Sequence, residues 1–312
     1  RRAGRGGAAV TTPRAGCRGG CRPEGVLGVE RAMDQAAGEL GVEPLEMRRK
    51  SFIAPDQFPY TTATDVTYDV GEFSALLDAA VEAADMPGYA ARRAADTDKL
   101  RGLGLCYYIE SILGAPSETT RVVFEDDHAA IYVGTQSNGQ GHETVYTQFL
   151  SDQTGIPMDH IRVVQGDSDL IPTGGGTGGS RSVTVQNTAT LAAVDVTIKG
   201  FSAFLAEVEG VAVEDVQFDD ERFRIAGSNL TPTMVEVADM ARDAGRSDLL
   251  DQSASITLDN RSFPNGAHVA EVLIDPDTGV VEIVKYTVVD DFGNLINPML
   301  VEGQVHGGVV QG

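Results

Sequence analysis

Cysteine is scarce in this sequence, which has three in 312 residues, at positions 17, 21 and 106. So small and odd a number argues against a disulfide framework. Cys17 and Cys21 also lack the further ligands that a zinc site needs. If iron–sulfur clusters take part in the function, we therefore expect them on another chain.

Long apolar runs are missing too. No run approaches the roughly 20 residues that cross a bilayer, and the N-terminus has arginines but no apolar stretch of the kind found in a secretory signal. Hydrophobic residues nevertheless make up 42% of the chain, which is enough for a sizeable core. We therefore predict a globular cytoplasmic protein of one large domain or two ordinary ones.

Positive charge is the third scarcity, because 24 Lys and Arg residues oppose 46 Asp and Glu residues, for a net charge of −22. Such a surface repels nucleic acid and anionic membranes, so neither is a predicted partner. Plain solubility or adaptation to salt is a sufficient explanation of the charge. Residues 1–22 are the exception, with six arginines and no acid. They are interpreted as a disordered arm or as a misread or truncated start of the gene, and the second is favoured.

Hydrophobic periods predict helices and strands in separate stretches of the chain. The predicted helices cover residues 23–40, 42–48, 71–95, 141–154 and 183–208. The predicted strands cover residues 103–109, 121–124, 129–134, 161–165, 222–225, 267–274 and 280–289. Because these elements are segregated rather than strictly alternating, the sequence predicts an α+β fold with mixed sheets and packed helices.

Residues 134–144 read Gly-Thr-Gln-Ser-Asn-Gly-Gln-Gly-His-Glu-Thr and lie between a predicted strand and a predicted helix. Glycine lets the backbone approach a ligand closely, and the first N–H groups of a helix carry a partial positive charge. Gln140 adds a donor and an acceptor on one side chain. The pattern is typical of a cradle for an anion or a polar ring, although a plain polar turn before a helix has the same pattern.

Residues 174–182 read Gly-Gly-Gly-Thr-Gly-Gly-Ser-Arg-Ser and precede the longest predicted helix. The stretch lacks the Lys-Ser/Thr ending of a Walker motif, so a nucleoside triphosphatase is not predicted. Backbone N–H groups, the hydroxyls of Ser180 and Ser182 and the guanidinium of Arg181 are all donors that suit phosphate oxygens. A flexible linker is the alternative, although an arginine between two serines fits it less well.

Residues 290–312 form a third segment, in which a strand ends in acids and a helix of small residues begins near Asn297 and Pro298. Gln304, His306 and Gln311 are polar groups on this otherwise tightly packable helix. Taken alone, the segment is weak evidence, since a glutamine satisfied within a core is the commoner case.

Together the three segments resemble the molybdopterin-binding subunit of the xanthine dehydrogenase, aldehyde oxidase and carbon monoxide dehydrogenase family. The resemblance rests on Gly-Gln-Gly-His-Glu-Thr at 139–144, Gly-Gly-Ser-Arg-Ser at 178–182, and Asn-Pro followed by Glu-Gly-Gln-Val-His-Gly at 297–307, in the family's order and spacing. It runs from about residue 18 to residue 312. It implies an atypical start over 1–22, the end of a first cofactor-binding domain over 23–66, and a second such domain, truncated, over 67–312.

The resemblance also implies a molybdenum-bearing molybdopterin, in its cytosine dinucleotide form, held by the two glycine loops. The cofactor-binding residues carried over in this way are Arg18, Gly19, Gly20, Gln140, Gly141, His142, Gly179, Ser180, Arg181, Ser182 and Gln304. Glu110 falls where the family has substrate-pocket residues, and no protein ligand to a metal is expected. The family's catalytic glutamate is expected beyond Gly312, so the chain as given is predicted to be an inactive fragment.

Residues 17–24, Cys-Arg-Gly-Gly-Cys-Arg-Pro-Glu, resemble the family's active-site loop, which often reads Tyr-Arg-Gly-Ala-Gly-Arg-Pro-Glu and in that form is typical of form II carbon monoxide dehydrogenase-like proteins. True carbon monoxide dehydrogenases have a different loop with a copper-binding cysteine, and neither Cys17 nor Cys21 fits its pattern. The expected enzyme is therefore a molybdenum hydroxylase that oxidises an aldehyde or N-heterocycle with water as the oxygen source.

The expected assembly is a dimer of heterotrimers, with FAD on a medium subunit and 2Fe-2S clusters on a small subunit. Three alternatives stay open: a carbon monoxide dehydrogenase large subunit, a non-catalytic cofactor-binding or assembly protein, and an unrelated nucleotide-binding α+β domain.

Overall fold

The computed structural model describes residues 22–126 and 128–311, with only the backbone of Arg22 and Pro23. The predictions that concern Cys17, Arg18, Gly19, Gly20 and Cys21 lie outside the described residues. The chain divides into two compact units. Unit 1 lies before Ile112 and over Phe263–Gly293, and unit 2 covers Ile112–Ser262 and the residues from Asn294 onward. These units differ from the cofactor-binding domains predicted on either side of residue 66, and that domain boundary stays a prediction.

The helices and strands of the described residues are numbered here along the chain. The helices are α1 (Arg22–Leu40), α2 (Pro44–Arg49), α3 (Phe73–Ala84), α4 (Tyr89–Ala95), α5 (His142–Thr154), α6 (Ser182–Glu209), α7 (Met234–Asp243) and α8 (Pro298–Gln311). The strands are β1 (Tyr60–Thr61), β2 (Thr67–Tyr68), β3 (Leu100–Ile109), β4 (Ser117–Phe124), β5 (Ala129–Val133), β6 (Ile161–Val164), β7 (Val216–Asp219), β8 (Arg222–Ile225), β9 (Asp251–Thr257), β10 (Asn265–Ile274) and β11 (Val281–Asp291).

Unit 1 is built on an antiparallel sheet in the order β11-β10-β3. Helix α3 packs on this sheet through its predicted apolar face, and Leu76 and Ala80 form a small core with Ala267 of β10. The helix predicted over 71–95 is in fact two helices, because the chain turns at Asp85, whose φ is 51°, and Pro87 follows. Proline has no N–H and cannot continue a helix, which explains the break.

Unit 2 is built on a four-stranded sheet in the order β6-β5-β4-β9. The predicted hairpin is confirmed as the antiparallel pair β4–β5, and α5 connects β5 to its parallel neighbour β6. Helix α6 packs across β4 and β9 and buries Phe201 and Leu205 completely. Mixed sheets with packed helices confirm the predicted α+β class.

Helix α6 is also, within the part of the chain that the structure describes, the one helix long and apolar enough to cross a membrane. Of its most apolar window 56% is buried inside the protein. The core helix of a folded domain passes the same test of length and composition. Its buried face here forms part of the core of unit 2.

Candidate functional site

The three segments singled out in the sequence come together in unit 2. Residues 134–144 connect β5 to α5, residues 174–182 lead into α6, and residues 297–307 include the start of α8. Residues 290–293 of the third segment, which include the acidic end of β11, belong to unit 1. One compact unit therefore carries every described motif on which the proposed cofactor site depends.

The loop before α5, residues 134–141, is held in shape by its own side chains and by Gln165. The N–H of Ser137 donates to Oε1 of Gln165 at 2.8 Å, and the N–H of Gly139 donates to Oγ of Ser137 at 3.1 Å. Oε1 of Gln140 accepts from the N–H of Asn138. The N–H groups at the start of α5 have no partner within the helix, as at any helix N-terminus, and are the donors left for a ligand.

His142 lies beneath this loop rather than on it, since its residue surface is 2% exposed. Its Nε2 lies 2.9 Å from Nε2 of Gln140, and because the oxygen of that amide already accepts hydrogen bonds, the amide nitrogen donates to the imidazole. Burial lowers the pKa of His142, although the backbone of Thr135 acts in the opposite direction. Its Nδ1 is buried without a hydrogen-bond partner in the described structure. The ring is therefore neutral near pH 7, and His142 supports the loop from beneath through its contact with Gln140.

The glycine loop before α6, residues 174–180, adjoins the first loop directly. The N–H of Gly176 donates to the carbonyl of Gly134 at 3.1 Å, and Oγ1 of Thr177 donates to the carbonyl of Gln136 at 2.6 Å. Ser182 continues the link, since its hydroxyl lies 3.3 Å from that of Thr177. The two predicted loops thus form a single surface at the N-terminal ends of α5 and α6.

Tyr146 joins the two loops from below. Its hydroxyl lies 2.6 Å from Oγ1 of Thr135 and donates to the carbonyl of Ser182 at 3.1 Å. Burial raises the pKa of Tyr146 to about 12, so the hydroxyl stays protonated as a donor. Gln186 extends the network, because its Oε1 accepts from Thr135 at 3.1 Å. Sequence reasoning missed Tyr146 and Gln186, because their partners are far away along the chain.

The glycines of the two loops fall into two groups by what a Cβ would meet. At Gly174 a Cβ would lie 2.6 Å from the Cα of Gly134, so there the absence of a side chain lets two backbones touch. At Gly139 and Gly178 a Cβ would meet nothing within 4 Å. The open group, together with the N-termini of α5 and α6, leaves backbone donors accessible to a large polar ligand. This donor set fits the pyrophosphate of a dinucleotide cofactor.

Arg181 does not lie on that open surface, contrary to the prediction that its guanidinium donates to phosphate. The side chain is completely buried and donates four hydrogen bonds within the protein. Nε donates to the carbonyl of Ala115, one terminal nitrogen to Glu118 and to the carbonyl of Gly176, and the other to the carbonyl of Ser117. The sequence could not reveal this, since Glu118 lies 63 residues earlier.

Ser180 is the exposed neighbour of Arg181, with a φ of 56°. A non-glycine residue in the left-handed region is strained, and such strain is common where a ligand is held. The prediction that Gly179, Ser180 and Ser182 bind the cofactor is compatible with this placement and stays a prediction.

Helix α8 reaches the same region through its first turn. Asn297 caps it, since Oδ1 accepts from the N–H of Leu300 at 3.1 Å, and its Nδ2 donates to Gln148 of α5 at 3.0 Å. The side chain of Leu300 lies next to Gly141, where a Cβ would be 3.1 Å from it. Gln304 is one turn further on and therefore on the same face of α8. Its predicted contact with the pterin stays a prediction.

Glu110 follows β3 in unit 1, where its N–H donates to the carbonyl of Pro264 at 2.8 Å. Its role in a substrate pocket stays a prediction. A cavity of about 270 Å³ in unit 2 lies between Gly174 and Gly175 and the strands β4 and β9, and neither Gln140 nor Ser180 lines it.

Comparison with known proteins identifies the family to which the chain belongs. A family model for the molybdopterin cofactor-binding domain matches residues 79–312. The chain is 33% identical to the carbon monoxide dehydrogenase large chain of Hydrogenophaga pseudoflava, over 93% of this chain and 39% of that protein. It is 32% identical to the nicotine 6-hydroxylase large subunit of Paenarthrobacter nicotinovorans, over 92% of this chain and 38% of that protein.

A crystal structure of a Cu,Mo-containing carbon monoxide dehydrogenase in its carbon monoxide-reduced state superimposes with a TM-score of 0.83. The two chains are 31% identical, and the match covers 91% of this chain and 39% of the other. The chain thus spans well under half the length of the relatives that it matches, while nearly all of it takes part in each match.

Proposed function

The chain belongs to the family of molybdopterin cofactor-binding domains, and from this premise we propose that it forms the dinucleotide-binding part of the large subunit of a molybdenum hydroxylase. The observation that carries the proposal is the direct contact between the two glycine loops. Thr177 of one loop donates to the carbonyl of Gln136 in the other, which brings together the segments that lead into α5 and α6 and supports a single ligand site at their N-termini. Two helix N-termini at one site favour a group with negative charge.

The residues of this chain would bind and orient the cofactor. Backbone N–H groups at the start of α5 and α6 would donate to the pyrophosphate oxygens, and the open faces of Gly139 and Gly178 would let the backbone come close. The amide of Gln304 would donate to the pterin. When bound, the cofactor supplies a redox-active molybdenum centre at which a substrate is oxidised with oxygen from water.

The charge of the site is unusual for one that binds phosphate. Residues 134–182 contain two arginines and no lysine. Arg162 pairs with Glu125, and Arg181 pairs with Glu118, so both cations are engaged by carboxylates. The described part of the site would therefore hold phosphate with neutral backbone donors and helix dipoles rather than with a side-chain cation. Neutral donors also impose a geometry, which a flexible lysine would not.

The cytosine form of the dinucleotide and the substrate class, an aldehyde or N-heterocycle, are part of the proposal. So are the FAD-bearing and iron–sulfur partner subunits and the dimer of heterotrimers. The nicotine 6-hydroxylase relative supports the heterocycle. Carbon monoxide oxidation is the second candidate, and the relative at 33% identity, itself a carbon monoxide dehydrogenase large chain, favours it.

The test is chemical analysis of the full-length protein purified with whatever subunits accompany it. Molybdenum is measured by mass spectrometry of the metal, and the nucleotide is identified after acid release. We expect molybdenum and cytidine nucleotide in equal amounts, and reduction of the metal centre by a heterocycle or aldehyde. Reduction by carbon monoxide instead, with copper present, would select the second candidate, and protein that lacks both molybdenum and nucleotide would refute the proposal.

A further inference from the structure

The glycine loop before α6 is backed by a buried ion pair that reaches into several segments of unit 2. Arg181 and Glu118 are 2.8 Å apart, with side chains 0% and 1% exposed. Glu118 lies in β4, and Arg181 is the residue that precedes the first turn of α6. A pair so far from water persists only when hydrogen bonds satisfy its remaining groups, because burial of each charge is costly.

Those hydrogen bonds are present, and they hold the loop. The carboxylate of Glu118 accepts from the N–H of Gly175 at 3.0 Å through Oε2, and from the N–H of Thr119 at 3.0 Å through Oε1. On the other side of the pair, Arg181 donates to the carbonyl of Gly176 at 2.8 Å. Two successive residues of the glycine loop are thus fixed by the two halves of one ion pair.

The ion pair explains why two positions in the two loops are glycines. A Cβ at Gly175 would lie 2.5 Å from the guanidinium carbon of Arg181. A Cβ at Gly134, in the other loop, would collide with the carboxylate of Glu118. These two glycines make room for the ion pair, while Gly178 faces open space.

We infer that Glu118 and Arg181 are positioning residues. They form a buried clamp that holds the glycine loop in the conformation that binds the dinucleotide, and they do not contact the dinucleotide themselves. The inference rests on the proposed function for the identity of the ligand, but the effect of the clamp on the loop itself does not depend on it. The clamp and a direct phosphate contact by Arg181 predict opposite outcomes for Glu118→Gln. If the pair is a clamp, loss of the carboxylate loosens the loop and weakens binding of the cofactor. If Arg181 instead contacts phosphate, loss of the carboxylate frees the guanidinium and strengthens binding.

The experiment uses the full-length protein and three variants: Glu118→Gln, Arg181→Lys and Leu205→Ala. Leu205 is fully buried in α6 and provides a matched control for general loss of stability, because it lies far along the helix from the loop. Hydrogen exchange of residues 174–180 is measured on protein freed of cofactor. Acid-released nucleotide per chain is measured on protein as purified.

The clamp predicts that Glu118→Gln raises the exchange rate of the loop amides by about tenfold, as a tenfold change in the equilibrium constant for opening would. It also predicts less nucleotide per chain than in the wild type. Arg181→Lys should do the same, since the single ammonium group of a lysine cannot donate to the carbonyls of Ala115, Ser117 and Gly176 at once, as the guanidinium does. Leu205→Ala should lower the unfolding temperature without a selective change in the loop.

Nucleotide content that is unchanged or higher in Glu118→Gln, or preserved by Arg181→Lys, would overturn the clamp. If Glu118→Gln does not fold, hydrogen exchange of the loop in cofactor-free Arg181→Lys decides: faster exchange supports the clamp, and unchanged exchange overturns it. If the wild-type protein contains no nucleotide, the proposed function fails, and hydrogen exchange of the loop still supports or overturns the clamp. The two failures are therefore distinguishable.

Discussion

The glycines of residues 174–178 provide a sharp test of which side of the loop faces the ligand. At Gly174 a Cβ would lie 2.6 Å from the Cα and 2.7 Å from the carbonyl oxygen of Gly134. Both are backbone atoms, so Gly174→Ala must displace a neighbouring segment. Overpacking of this kind costs about 1–3 kcal/mol.

Gly178 is the matched position on the open side. Nothing lies within 4 Å of a Cβ there, and the φ of Gly178 is not in the left-handed region. Gly178→Ala should therefore leave the stability of the protein unchanged or raise it by up to about 1 kcal/mol, by reducing the freedom of the unfolded chain. If the cofactor lies against this face, the added methyl should still weaken cofactor binding by about tenfold, which corresponds to about 1.4 kcal/mol, and so lower the nucleotide content.

The assay combines denaturant unfolding of cofactor-free protein with nucleotide analysis of protein as purified. We expect a lower unfolding midpoint only in Gly174→Ala and, in a folded protein, a loss of nucleotide in Gly178→Ala. Full nucleotide content in Gly178→Ala would refute the orientation of the loop. An unchanged midpoint in Gly174→Ala would refute the packing argument.

Two further predictions concern His142 and Tyr146 beneath the loops, and a third concerns Cys106 of β3 in unit 1. Burial lowers the pKa of His142 below its ordinary 6.5, so the unfolded chain binds a proton before the folded protein does, and stability is lost as the pH falls below about 6.5. Thermal unfolding between about pH 5 and pH 7.5 should show this loss in the wild type and not in His142→Gln. Identical pH profiles of the two proteins would contradict the prediction. Tyr146→Phe removes the hydrogen bonds to Thr135 and Ser182 and should cost about 1–3 kcal/mol in urea unfolding, so an unchanged midpoint would count against the network. Burial raises the pKa of Cys106 to about 11, so iodoacetamide at about pH 8 should alkylate this thiol at least about tenfold faster in the unfolded protein than in the native protein. Peptide mass spectrometry measures the two rates, and equal rates would show that the thiol is accessible in the native protein.

Regular apolar periods made several elements predictable from the sequence. Helix α1 over Arg22–Leu40 and helix α5 over His142–Thr154 lie within one or two residues of their predicted bounds. Helix α7 was missed although it had a local signal. Thr233 and Glu236 form a capping box, in which the N–H of Thr233 donates to Glu236 at 2.7 Å. A search for that spacing would have found the helix.

Strand β9 had no comparable signal, because its residues are small and polar. Its position is fixed by pairing with β4, where hydroxyls meet across the strands, Thr119 with Ser255 at 2.7 Å and Ser117 with Thr257 at 2.8 Å. Such partners lie more than 130 residues apart along the chain. Tertiary pairing of this kind cannot be read from a local pattern.

The candidate site was predictable in its motifs but not in the role of each residue. A glycine that admits a ligand and a glycine that admits a neighbouring backbone are identical in sequence, and the structure separates Gly178 from Gly174. In the same way, an arginine between two serines resembles a phosphate ligand until its carboxylate partner is known. That partner, Glu118, is distant in sequence and has no motif of its own.

The most direct test of the shared site is the structure of the full-length protein with its native cofactor, determined by electron cryo-microscopy. The account predicts density for a dinucleotide whose phosphates lie within hydrogen-bond distance of backbone N–H groups at the start of both α5 and α6. Dinucleotide density that contacts only one of these helices, or lies away from both loops, would contradict it.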